Sequence, residues 1–203
     1  YMQQLSDETR ISYQNLSRIS LDYNPLDEYN YSSGKRNKIL SRNILGLNVK
    51  IIKDLRFEGT YSYLRGAGRS EQYDDEKSYP VRSELVQFTV APNTSSTPVY
   101  YLPKGGGTFA VDHTTQKDWT LRNQLVYDTE WNNRAHQLNL LAGHEAQEQF
   151  TVLTGSKVRG YNTLLQTYGP VDYATLGNAG LPGAVWSNNF SGSILSNDAF
   201  RQQ

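Results

Sequence analysis

Leu45-Gly46-Leu47-Asn48-Val49-Lys50-Ile51 alternates apolar residues with small or polar ones, without a break. Successive side chains of an extended chain point to opposite faces. A period of two therefore puts Leu45, Leu47, Val49 and Ile51 on one face and Asn48 and Lys50 on the other. Working outward, the run begins near Ile39 and ends at Ile52, with Arg42 on the polar side and Leu40, Ile44 and Ile52 as exceptions. Lys53-Asp54 makes a short polar turn. The pattern then resumes from Leu55 to Arg65, where Leu55, Phe57, Gly59, Tyr61 and Tyr63 alternate with Arg56, Glu58, Thr60 and Ser62. Two alternating runs about a tight turn predict a β-hairpin.

The plan recurs downstream. From Trp119 to Thr129, Trp119, Leu121, Leu125 and Tyr127 oppose Arg122, Gln124 and Asp128, with Val126 out of step. A turn over Glu130–Arg134 leads to His136–Glu148, where Leu138, Leu140 and Ala142 oppose Gln137, Asn139 and Glu145. The sequence thus predicts strands over about 39–52, 55–65, 119–129 and 136–148. Their length suits tilted strands that cross a bilayer in about 9–11 residues. The long stretches 1–37, 66–117 and 150–203 read as loops, and the turns at 52–54 and 130–135 are short. Compact soluble domains rarely hold structureless links above about 15 residues. Outer-membrane barrels join short periplasmic turns to long extracellular loops. The expectation is an all-β fold, part of a large antiparallel transmembrane β-barrel with long extracellular loops. A secreted β-sandwich binding module, such as an adhesin or glycan-binding domain, shows the same alternation. The asymmetry of the connections favours the barrel.

Composition agrees. The hydrophobic fraction is 37%, against about 45–50% in a typical globular domain, and the mean hydropathy is −0.66. A large dry core is hard to build from this. Aromatics nevertheless reach 12%, with 15 Tyr, and 20 basic residues balance 20 acidic ones, unlike a disordered chain. The balance leaves no basic stripe for nucleic acid. The chain has no cysteine, hence neither a disulfide framework nor a thiolate metal site. No stretch approaches the roughly 18 apolar residues of a transmembrane helix. The opening Tyr1-Met2-Gln3-Gln4 carries no signal peptide, so the expectation is a chain that begins inside a longer protein. Tyr61, Tyr63, Trp119, Tyr127 and Trp131 lie near the ends of the runs, where a membrane–water boundary favours such rings.

Four stretches in order carry a resemblance: Asn24-Pro25-Leu26, Tyr101-Leu102-Pro103-Lys104-Gly105-Gly106, Trp119-Thr120-Leu121-Arg122-Asn123-Gln124-Leu125, and Leu141-Ala142-Gly143-His144-Glu145-Ala146-Gln147-Glu148. Together they resemble the middle of the barrel in SusC/RagA-type TonB-dependent transporters, over most of 24–148. That resemblance implies a protein of the bacterial outer membrane with a plug, a TonB-contacting segment and a barrel of about 22 strands, the plug and TonB contact lying outside this chain. It implies import of a glycan or peptide, a SusD-like surface lipoprotein as cap, no cofactor and no catalysis. Four strands alone leave open edges that lipid does not permit, so the remaining barrel has to close them.

Within this frame Arg42, Asn48, Lys50, Arg56, Glu58, Arg122 and Gln124 are expected to face the lumen. Leu45, Leu47, Val49, Phe57, Tyr61, Leu121, Leu125, Leu138 and Leu140 are expected to face lipid. Tyr79, Arg82, Tyr100, Tyr101 and Lys104 are candidate cargo contacts, offering planar faces and charge. The same tyrosines suit packing the loop onto itself slightly better than contact with cargo. The uncharged stretch Pro98-Val99-Tyr100-Tyr101 suits the cap. Residues that mimic enzyme motifs carry less. His144-Glu145-Ala146-Gln147-Glu148 lacks the second imidazole of a zinc helix and reads as strand. Gly105-Gly106-Gly107 lacks the Lys-Ser/Thr of a phosphate loop and reads as a flexible loop. Gly155-Ser156 lacks a nucleophile elbow, so a β-rich hydrolase has no convergent set of titratable groups. The N-x-S/T matches at Asn15, Asn30, Asn93 and Asn189 carry no weight in a bacterial chain.

Overall fold

The computed structural model describes residues 5–178, 181–186 and 199–202. The elements in chain order are α1 (Asp7–Ser17), α2 (Pro25–Tyr31), β1 (Ser32–Ile52), β2 (Leu55–Asp74), α3 (Tyr79–Gln87), β3 (Thr89–Val90), β4 (Val99–Tyr100), β5 (Gly107–Trp131), β6 (His136–Tyr161), α4 (Tyr173–Asn178) and β7 (Ala199–Gln202). One sheet runs β1-β2-β5-β6-β7, and β3 and β4 form a separate antiparallel pair. The chain is all-β in class, mostly antiparallel strand with short helices.

The two expected hairpins are present, with the turns where the sequence puts them, but their arms are far longer. β1, β2, β5 and β6 hold 21, 20, 25 and 26 residues. The stretches expected as loops are largely ordered. Residues 1–37 hold α1, α2 and the start of β1; residues 66–117 hold the end of β2, then α3, β3, β4 and the start of β5; residues 150–203 hold the end of β6, α4 and β7. The part of that last stretch at 187–198 lies outside the described residues. The physical reason is that a backbone ladder needs only paired N–H and C=O groups. Apolar alternation marks a strand with one apolar face, so polar extensions such as Arg65–Asp74 carry no such signal.

The chain divides into two compact units, one of Tyr1–Arg36, Ser70–Asp112 and Gly155–Phe200, the other of Asn37–Arg69, His113–Thr154 and Arg201–Gln203. The first has a closed apolar core. Leu21 and Val86 are fully buried, with Ile19, Leu85, Phe88, Ala91, Leu102, Leu176 and Val185 around them. Its helices start at legible caps. The Ser6 hydroxyl accepts from Thr9 N at 3.3 Å, ahead of Asp7 and Glu8 in the first turn of α1. The Asn24 side chain accepts from Leu26 N at 3.2 Å, with Pro25 opening α2. Both arrangements satisfy first-turn donors that no helical carbonyl reaches.

Of the glycine run at 105–107, expected as a flexible loop, Gly105 stands in open space but Gly106 and Gly107 are closely packed. Gly106 has φ +86°, and a β-carbon there would sit 2.6 Å from the Gly160 carbonyl carbon. One on Gly107 would run into the Asp74 carbonyl oxygen. Only residues without a side chain fit so close to another backbone.

In the second unit the strands carry the fold. Among its described residues only Leu64 and Val126 are buried apolar side chains. Large apolar side chains are exposed along β1, among them Ile39, Leu45, Leu47 and Ile51, and further along at Tyr61, Leu125, Leu138 and Leu140.

Candidate functional site

In the first unit α3 is held by charge at both ends. Ser78 gives its first turn no side-chain cap. The Glu28 carboxylate takes that place, accepting from Tyr79 N at 2.8 and 2.9 Å, a favourable position for a negative charge at a helix start. One turn on, Arg82 donates to the carbonyls of Ser20 and Asp22 at 2.8 and 2.9 Å and reaches Glu28 at 3.4 Å. Near the other end Glu84 receives both arms of Arg159, at 3.1 and 2.8 Å, with Lys157 Nζ at 3.7 Å. Arg159 is only 4% exposed and also donates to the Tyr173 hydroxyl at 3.4 Å. A forked guanidinium–carboxylate pair of this kind fixes geometry as well as energy.

Beside this helix opens a cleft of about 840 Å3. Its walls come from the segment between α1 and the end of α2, with Arg18, Asp22, Tyr23 and Glu28 among them, from Glu76, Lys77, Arg82 and Leu85, and from Lys104 and Gly105. Of the five candidate cargo contacts, Arg82 and Lys104 line it. Arg82 is occupied by the carbonyls just described. Lys104 is exposed, its amine 5.0 Å from the centre of the Tyr100 ring. Tyr79 and Tyr100 pack against the apolar core. Tyr79 meets Tyr23 edge-on at 5.5 Å, and burial pushes its hydroxyl above the ordinary tyrosine range while the Arg82 charge pulls it back. The Tyr100 hydroxyl donates to the Ser17 carbonyl at 2.7 Å. Tyr101 is 40% exposed, tied by its N–H to Phe88 O at 3.0 Å. Of the stretch 98–101, Pro98 is buried while Val99 and Tyr101 are accessible.

In the second unit the polar strand residues share a face and bond across it. Arg56 pairs with Glu58 at 2.8 Å and with Asp128, and Gln124 donates to Glu58. Arg122 lies 3.9 Å from Glu145. Arg42 joins Ser62, Asp118 and Gln147 around a shallow depression of about 430 Å3. Asn48 and Lys50 follow at the even positions of β1. The opposite face carries the apolar set. The Phe57 ring lies over Gly59, which also meets Asn123, and Trp119 Nε1 donates to Glu148 at 2.6 Å. Separation of the sets is imperfect. Leu40 packs on Gly66 together with Gln116, on the polar side.

Strand geometry also disperses the enzyme-like motif. His144 and Glu145 are neighbours on β6, so their side chains leave opposite faces and do not converge.

Sequence reasoning missed Glu28, Glu84 and Arg159. Their partners lie 54, 75 and 75 positions away, and no local pattern announces a pair so distant. Pro80 in the first turn of α3, two positions after Ser78, is the signal by which that helix was readable. No protein-family model matches the chain, and the search of curated proteins finds no match.

Proposed function

We propose that this chain is part of a TonB-dependent transporter of the bacterial outer membrane, importing a glycan or peptide beneath a SusD-like lipoprotein cap. One observation carries the reading. Antiparallel strands hold a dense set of exposed apolar side chains, the larger share of them on one face, with hydrogen-bonded ions on the other. Leu45 is 68% exposed, Leu47 54% and Leu140 54%, while Arg56, Glu58, Gln124 and Asp128 bond to one another opposite them. Water disfavours so large an apolar patch. Lipid suits it, and a wet lumen suits the ionic face. The ordered motif set from Asn24 to Glu148 supports the family. In this reading β1 and β7, the edge strands of the sheet, continue into further strands of the same barrel, and TonB contacts a part of the protein outside this chain.

The turns at 53–54 and 132–135 are then periplasmic, and the connection from β2 to β5 is extracellular. The rigid turn after β6 offers the cap an apolar tip. Asn162 Oδ1 accepts from Leu164 N and Leu165 N, both at 3.0 Å, and presents those leucines at 92% and 71% exposure. An epitope inserted at Asn93 in the full-length protein is expected to bind antibody on intact cells. One at Asn133 binds only after the outer membrane is permeabilised. The reverse pattern overturns the topology, and recovery in the soluble fraction overturns the transporter in favour of a secreted β-sandwich.

A further inference from the structure

On the face of the strand unit that carries Phe57, Tyr61 and Leu125, charge begins at one row. The register of β2 against β5 follows from their glycines. A β-carbon on Gly66 would lie 3.4 Å from that of Gln116, and one on Gly68 3.8 Å from that of Thr114. Asp128 N donates to Asp54 O at 2.8 Å in the same register. Tyr63 therefore stands across from Trp119, and Arg65 across from Lys117, on the side opposite Gly66 and Gln116. Exposure alternates with the side. Tyr61, Tyr63, Arg65, Ala67 and Arg69 are exposed, whereas Leu64 and Gly66 are buried. From Leu55 to Tyr63 and from Trp119 to Tyr127 this face holds no charged residue on either strand. Among the described residues of the unit, the acid on this face is Glu148, whose carboxylate accepts from Trp119 Nε1 at 2.6 Å. It lies beyond ion-pair reach of Lys117. Neither Arg65 nor Lys117 makes an ion pair or a side-chain hydrogen bond among the described residues. Arg69 follows two positions on, with Glu71 beyond it on the same side of β2, so the excess of positive charge rests on Arg65 and Lys117.

We propose that Arg65 and Lys117 hold the phosphate headgroup of a membrane lipid, whose chains lie along the apolar rows beside them. Like charges directly across a strand pair repel. An anion seated between them turns that repulsion into two charge-assisted contacts, which are the strong ones. The level of the pair fits a headgroup. Two positions along a strand are about 7 Å, so the cations lie one row beyond Tyr63 and Trp119, rings of the kind that favour the membrane–water boundary. A lipid also accounts for the neighbouring rows. A free anion would leave Leu47, Tyr61 and Leu125 bare at 54%, 47% and 42% exposure, whereas one amphiphile supplies both the phosphate and the cover. That this face meets lipid at all rests on the transporter reading.

The test inserts the full-length protein into phosphatidylcholine vesicles and extracts it in detergent. It is then titrated with dioleoylphosphatidic acid and with dioleoylglycerol, which differ only in the phosphate. Native mass spectrometry reads the lipid retained. The phosphatidic acid is expected to be retained at least about tenfold better, with the margin shrinking as salt rises. Arg65→Gln/Lys117→Gln is expected to lower its retention by about tenfold, to the level of dioleoylglycerol. Arg65→Lys/Lys117→Arg, which keeps both charges, preserves it. Arg42→Gln/Lys50→Gln, on the other face of β1, has no effect. Equal retention of the two lipids, wild-type retention in the first variant, loss in the charge-keeping one, or an equal loss in the variant of the other face overturns the proposal. So does displacement of the lipid by inorganic phosphate or by an acidic peptide at the same concentration, which would make a free anion or a protein the occupant. Failure to enter the vesicles is a different result, since it removes the transporter reading and the lipid site with it.

Discussion

Leu21 and Leu47 are the same residue in opposite circumstances. Leu21, in the unit that contains the helices, is 0% exposed, and Leu47, in the strand unit, is 54% exposed. The contrast holds for the surroundings of each. Leu21 belongs to a cluster that includes Val86, Phe88, Leu102 and Leu176. Leu47 stands on a strand with no buried residue along its 21 positions. One unit meets the ordinary requirement of water, that apolar area be removed from it. The other pairs its backbone in a sheet and its ions with one another, and leaves its apolar face exposed. The difference teaches that a hydrogen-bonded sheet does not require a core of its own, and in the proposed reading lipid takes the place of that core.

The largest expected effect breaks the comparison at the level of the chain. Residues 1–203 expressed alone in buffer are expected to aggregate or stay unfolded, because β1 offers an unpaired edge and the strand unit a bare apolar face. Size-exclusion chromatography followed by a thermal melt checks this. A monodisperse species with one cooperative transition would mean that water suits both units alike.

Next come the two leucines themselves, in the full-length protein in detergent. Leu21→Ala leaves a cavity in a closed core and is expected to cost about 3 kcal/mol, read as a lower denaturant midpoint for the helical unit. Leu47→Arg is expected to cost about 2–4 kcal/mol in a bilayer, whereas Asn48→Arg, one position along, costs well under about 1 kcal/mol. Refolding into vesicles measures the pair, and equal costs at 47 and 48 would erase the distinction between faces. The smallest effect sits in the turn between β5 and β6. There Asn132, Asn133 and Arg134 all have left-handed backbones, at φ 56°, 51° and 70°. Asn adopts that region at lower cost than Arg. Arg134→Gly is expected to stabilise by about 0.5 kcal/mol, after loss of an exposed contact to Glu130 at 3.2 Å. A lower melting temperature would show that the ion pair outweighs the strain.

By itself the sequence determined the strands and their faces where side chains repeat with the backbone. From Leu45 to Ile51, and from Leu55 to Tyr63, each residue reports its own side of the sheet, because a period of two is a local property of the extended chain. The turns were equally legible, since Lys53-Asp54 and the polar run after Trp131 interrupt that period. Asn24-Pro25 and Ser78 with Pro80 are helix starts, but α2 and α3, at 7 and 9 residues, are too short to show a helical apolar period. What only the tertiary structure decided lies in contacts between distant segments. The extension of β2 to Asp74 depends on partner strands that cover polar residues with no pattern. The placement of Tyr79 and Tyr100 against a core rather than in the cleft depends on Leu21 and Ser17, more than fifty positions away. The pairing of Glu84 with Arg159 and of Glu28 with the start of α3 is a property of where the chain returns to itself, which no local repeat encodes.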